Sequence, residues 1–153
     1  MNEVFSWIYE FGGILPFYSA DLGEHLRGFD VTCTNYIGSP WYAYAGLVLL
    51  GVTLFAYALL YHFIDSARFA RRGHWWFTVL VIGVLNFAFA FALAWSSVHS
   101  PERCKQLHIS TGDIVGFGFD NALVAFILFL AITSVPYLRY FSTNCKYTTF
   151  WKP

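Results

Sequence analysis

Apolar residues in this chain do not alternate with polar ones; they run on. Three segments, 41–64, 75–96 and 117–138, each hold the roughly 20 mostly apolar residues that a helix needs to cross a hydrocarbon core of about 30 Å. Trp41/Tyr42, Trp75/Trp76, Trp95 and Tyr137/Tyr140 lie near their ends, where amphipathic rings favour the headgroup level. A fourth stretch, VFSWIYEFGGILPFYSA over residues 4–20, is marginal because Glu10, Gly12, Gly13 and Pro16 interrupt it. Its neighbourhood carries Glu3, Ser6, Glu10 and Gly13 at i, i+3, i+7 and i+10, one narrow stripe on an otherwise bulky helix. Two placements stay open for it, a fourth crossing with the stripe toward protein or water, and a helix lying in the outer interface. The pattern therefore predicts an all-α fold, a polytopic transmembrane helical bundle of three spans with a fourth left open. Residues 1–153 read as a single membrane domain, with 1–40 as a possible N-terminal span or interfacial helix plus an outer segment, and 139–153 as a cytoplasmic tail.

Charge gives that bundle a direction. The loop DSARFARRGH sets Arg68, Arg71 and Arg72 against Asp65, and the tail carries Arg139, Lys146 and Lys152 with no acid. Basic loops stay cytoplasmic, so the C-terminus is expected inside. Residues 1–42 hold Glu3, Glu10, Asp21, Glu24 and Asp30 against Arg27, and the loop before the third span is balanced, so both are expected outside. Composition agrees, with 58% hydrophobic and 12% charged residues excluding an average soluble domain. Glu3 and Glu10 occupy the place of a basic n-region, so no secretory signal is expected and Met1 reads as part of the mature chain. Within 21–40, Asp21 with Glu24 suggests a capped short helix, and NYIGSP a turn into the first span.

Polar residues inside the spans are the candidate functional positions. Gly83, Asn86, Ala90, Ala94 and Ser97 recur at three and four along the second span, a small-and-polar seam that reads either as a helix-packing face or as the lining of a path. Asp120 and Asn121 sit side by side in the third. Ser110 followed by Asp113 suggests an N-cap, so a helix starting near Thr111 carries Asp120 roughly 13 Å inward at 1.5 Å per residue. A carboxylate at that depth is either neutral, hydrogen-bonded to protein, or turned to water, because lipid does not solvate it. With Glu3 and Glu10 it would make the outer part of an oligomeric path cation-selective. Glu3, Glu10, Asn86, Asp120 and Asn121 are thus the pore or intramembrane polar candidates.

The remaining chemistry is sparse. His25, His62, His74, His99 and His108 share no metal-ligand spacing, and no Ser-His-Asp grouping, phosphate loop or CxxC occurs, so no metal, no cofactor and no enzymatic activity are expected. Cys33 and Cys104 fall on the outer side, where an oxidising compartment allows a disulfide, and Cys145 falls on the cytoplasmic side as a free thiol. Arg68, Arg71, Arg72 and Lys146, set among aromatic rings, either hold topology against anionic lipid or dock an anionic nucleotide or oligonucleotide signal.

SARFARRGHWWF before the second span, Asn86 within it, DNA at 120–122 and the terminal FSTNCK resemble a group of small polytopic bacterial membrane proteins, over most of the chain from residue 41. In size and architecture the chain is also similar to channel-type membrane effectors of bacterial antiphage systems. That resemblance implies a homo-oligomeric channel or pore-forming effector in the bacterial inner membrane, gated by a cytoplasmic anionic signal. The alternative expectation is a non-catalytic membrane scaffold or anchor subunit. Expected partners are membrane lipids, further copies of the chain, and a cytoplasmic protein or nucleotide signal.

Overall fold

A computed structural model describes residues 2–10, 17–36, 38–63, 72–101, 104 and 106–134. Arg68, Arg71, Cys145 and Lys146 lie outside the described residues, as do the whole tail and the last four residues of the expected third span. Among the described residues the chain is helical with no strand.

Helix α1 runs Asn2–Glu10, α2 Ala20–Arg27, α3 Trp41–Ala58 with a π-helical turn Leu59–Phe63 at its end, α4 Arg72–Val98 and α5 Thr111–Ser134. Three of these are long and apolar enough to cross a membrane, over Trp41–Tyr61, Gly73–Val98 and Thr111–Ser134. The nine described residues of α1 extend about 14 Å at 1.5 Å per residue, and residues 11–16, the middle of the expected fourth stretch, lie outside the described residues.

The span boundaries shift for local reasons. Helix α5 begins at Thr111, six residues before the apolar run, because Ser110 and Asp113 form a reciprocal capping box. The Asp113 N–H donates to Ser110 Oγ at 3.2 Å, and the Ser110 N–H donates to Asp113 Oδ2 at 2.8 Å. Helix α2 is capped by Ser19, whose side chain accepts from the Leu22 N–H, which moves Asp21 from the expected cap into the first turn. It stops at Gly28, whose φ of 97° is a left-handed conformation that glycine adopts without a Cβ penalty. Trp75, expected at the headgroup level, turns inward instead: it is 2% exposed and its ring meets Phe129 at 5.7 Å, while Trp76 stays outward.

The largest helix pair is α4 with α5, and Asn86 of the small-and-polar seam joins it, its carbonyl accepting from Asn121 Nδ2, whereas Gly83 of the seam is only half-buried. Asn86, Ala90, Ala94 and Ser97 are all buried, and their small size lets two backbones approach where packing rather than water exclusion drives association. The opposite surface carries Phe77, Leu80, Val84, Leu85 and Phe89, exposed as a lipid-facing helix requires. Helix α5 buries the largest share of its span, 44% against 33% and 28%, so α3, α4 and the N-terminal segment are organised around it.

Candidate functional site

The N-terminal end of α5 is built as an acceptor face for another piece of backbone. Asp113, Gly116 and Asp120 stand at i, i+3 and i+7, one stripe of a helix. The segment 17–19 lies along that stripe. Asp113 Oδ1 accepts the Ser19 N–H at 2.8 Å, and Asp120 Oδ2 accepts the Phe17 N–H at 3.0 Å. Between them the Phe17 carbonyl packs onto Gly116 so closely that any Cβ there would overlap it. Asp113 Oδ2 meanwhile accepts from the Ser110 N–H and hydroxyl, so this one carboxylate both caps α5 and holds the N-terminal segment. A further bond extends this contact to the loop before α5, with Asp21 Oδ2 accepting the His108 N–H at 2.9 Å.

Beneath this segment lies a closed aromatic cluster. Tyr9 stacks on Tyr42 at 5.4 Å and tilts against Phe117 at 5.5 Å; Tyr18 meets Phe117 edge-on at 5.6 Å. The Tyr18 and Tyr42 hydroxyls share a 2.9 Å hydrogen bond. Tyr9 donates its hydroxyl to Asn121 Oδ1, and Asn121 Nδ2 donates to the Asn86 carbonyl at 3.0 Å. Asn121 thus ties α1, α4 and α5 at one level. Asn86 Nδ2 turns back to the Ile82 carbonyl at 2.9 Å. Asn86 Oδ1 and Asp120 Oδ1 are buried without a hydrogen-bond partner.

The sequence-derived candidates divide accordingly. Asn86, Asp120 and Asn121 come together, and all three point into the protomer, at 0%, 2% and 0% exposure. Asp120 lies nine residues into α5, at the depth expected from a start at Thr111, and it meets protein. Glu3 and Glu10 sit on α1 and Arg72 opens α4, but their side chains, like Arg68, Arg71 and Lys146 entirely, lie outside the described residues. Cys33 and Cys104 are joined in a disulfide with a Cα–Cα distance of 5.5 Å. Four participants escaped the reading of the sequence: Tyr9, the Phe17 backbone, Gly116 and the Asp21–His108 bond. The i, i+3, i+7 spacing of Asp113, Gly116 and Asp120 was the signal for one of them, since a glycine between two carboxylates on one stripe marks a close backbone approach.

Asp113 Oδ1 and Asp120 Oδ2 are occupied by backbone N–H groups, and among the described residues no three His, Cys, Asp or Glu side chains are placed to bind a metal ion. Two clefts open between helices, one of about 270 Å³ lined by Phe5, Leu49, Leu50, Val124 and Leu128 and one of about 240 Å³ lined by Val52, Ala56, Val81 and Leu85. Both are lined mainly by apolar side chains, with Tyr9 in the first and Thr78 in the second. On the exposed surface Glu24 accepts the Tyr36 hydroxyl, and that bond pushes the Tyr36 phenol above its ordinary value.

No family model, no curated protein and no solved structure matches this chain.

Proposed function

We propose that this chain is a non-catalytic membrane scaffold or anchor subunit, a rigid helical body that positions a partner protein at the bacterial inner membrane. The observation that carries the reading is the inward orientation of Asn86, Asp120 and Asn121, each at most 2% exposed in a single copy. Their bonds join α1, the segment after it, α4 and α5 within one protomer. The outward positions of the spans, among them Leu47, Leu54, Phe55, Leu80, Val84 and Ile127, are apolar and suit lipid tails or an apolar helix of a partner. A path for ions between copies needs polar or water-bearing surface on those outward positions.

A second reading, a homo-oligomeric channel gated by an anionic signal at Arg68, Arg71, Arg72 and Lys146, keeps one observation in its favour. Asp120 Oδ1 and Asn86 Oδ1 are buried and unpartnered, the kind of atoms that water solvates if the protomer opens. On this reading the basic loop and tail are cytoplasmic, as on the first.

Ion flux through liposomes carrying purified protein separates the two. The scaffold reading expects no flux above empty vesicles at any voltage or pH, and a hetero-complex retained on mild-detergent purification from the native membrane. Flux that changes with Asp120→Asn, in protein assembled as well as wild type, would overturn it in favour of the channel.

A further inference from the structure

The segments that cap the outer end of the bundle are held in two different ways. Residues 17–21 are docked by carboxylates through the Phe17, Ser19 and His108 N–H groups. The loop that follows α2 is bonded mainly to itself and to α2. The Asp30 N–H donates to the Asn35 carbonyl at 2.8 Å, the Cys33 N–H to the Asp30 carbonyl at 2.9 Å, and the Thr32 hydroxyl to Asp30 Oδ2 at 2.8 Å. Gly38 closes the base by donating to the Gly28 carbonyl at 2.8 Å, and the Tyr36 hydroxyl reaches Glu24 on α2. At the tip of this turn stands Cys33, whose bond to Cys104, 71 residues on, reaches the connection between α4 and α5.

The two sulfurs are not equivalent. Cys104 is fully buried, whereas Cys33 is partly exposed on a turn whose neighbours Val31, Thr32 and Thr34 are exposed. Cys33 also has a φ of 56°, the left-handed region that L residues other than Asn and Asp enter reluctantly. An approaching thiolate must line up with the S–S bond from outside the sulfur that it attacks, and only the Cys33 side offers that approach among these two.

We infer that Cys33 is a thiol-exchange site, and that the disulfide is a redox latch on the loop 29–36 which a dithiol reductant opens. One thiolate of the reductant attacks Cys33 Sγ, the S–S bond breaks, and Cys104 leaves as a thiolate that takes up a proton. The second thiol of the reductant then displaces Cys33, which is protonated in turn. The protein disulfide gains two electrons and two protons, and the dithiol becomes a disulfide. Opening frees the turn to leave its left-handed conformation and the loop to move off the α4–α5 connection. Residues 17–19 stay docked, because the carboxylates that hold them, Asp120 and Asp113, stand on α5 and not on the latched connection.

The test uses the full chain in lipid nanodiscs. Glutathione, a monothiol that leaves the exchange half complete, is added without denaturant, free thiols are alkylated at once, and the digest is read by mass spectrometry. The expected product carries glutathione on Cys33 and the alkyl group on Cys104. Glutathione chiefly on Cys104, or no reaction in the folded protein, would overturn the inference. In parallel, hydrogen exchange is compared before and after dithiothreitol. Reduction is expected to speed amides of 29–36 by at least about tenfold while those of Phe17 and Ser19 change less than about twofold, since local units open independently. Equal loosening of both segments, or of neither, would show that the bond is not a local latch. Cys104→Ser should reproduce the reduced pattern, and where that variant does not fold the wild-type measurements decide alone.

Discussion

At the scale of single residues, Gly116 is the position where the sequence has least freedom. The Phe17 carbonyl occupies the space that a Cβ would need, and a backbone carbonyl pinned by two neighbouring N–H bonds has nowhere to yield. Gly116→Ala is expected to destabilise the protein by about 1–3 kcal/mol, the usual cost of forcing a methyl into a filled site. Gly83→Ala is the internal control: its added Cβ meets open space, so the helix propensity of alanine should make it neutral or stabilising by up to about 1 kcal/mol. Thermal unfolding in detergent measures both. Asp120 allows a sharper comparison, because its role in the fold is that of an acceptor. Asp120→Asn keeps a carbonyl oxygen for the Phe17 N–H, whereas Asp120→Leu leaves that part-buried donor unpaired, at a further cost of about 1 kcal/mol. If the two variants are equally unstable, it is the carboxylate itself that matters.

At the scale of elements, the capping box of α5 sets how far Asp120 lies from the helix start. Ser110→Ala removes the hydroxyl that accepts the Asp113 N–H, and it is expected to cost about 1 kcal/mol and to speed exchange of the first-turn amides of α5. Because Asp113 also holds Ser19, the amide of Ser19 should loosen with them, although its own partner is untouched. The three spans and this cap were legible in the sequence, since long apolar runs and a Ser-x-x-Asp pattern are local signals. The inward turn of Asn86, Ala90, Ala94 and Ser97 was legible as a seam, although Gly83, expected in it, is only half-buried; which neighbour the seam faced was not legible, because a small stripe suits an intramolecular and an intermolecular helix equally. The docking of 17–19 was illegible for a different reason. Its donors are backbone N–H groups, which every residue but proline carries and no sequence pattern marks. Ser19 shows the same limit on a smaller scale: with Asp21 two residues later, two good caps compete, and the Asp21–His108 bond across 87 residues decides between them.

At the scale of the whole molecule, the same bonds bear on whether copies of the chain need one another. An oligomer whose protomers complete each other's polar pairs loses stability when it dissociates, so its melting temperature falls on dilution. Here the intramembrane pairs close within one chain: Tyr9 to Asn121, Asn121 to the Asn86 carbonyl, and Phe17 to Asp120. The covalent tie between Cys33 and Cys104 closes on itself as well. The melting temperature is therefore expected to move by less than about 2 °C over a tenfold fall in the protein-to-detergent ratio, as for a fold that stands alone. A clear fall would mean that contacts between copies supply part of the stability. The apolar outer faces of α3 and α4 would then be interfaces between copies rather than surfaces for lipid or a partner, and the channel reading would displace the scaffold. Repeating the dilution with Asp120→Asn distinguishes the two sources of loss. A variant that melts lower by the same amount at every ratio has weakened the protomer, whereas one that steepens the dependence has weakened the assembly.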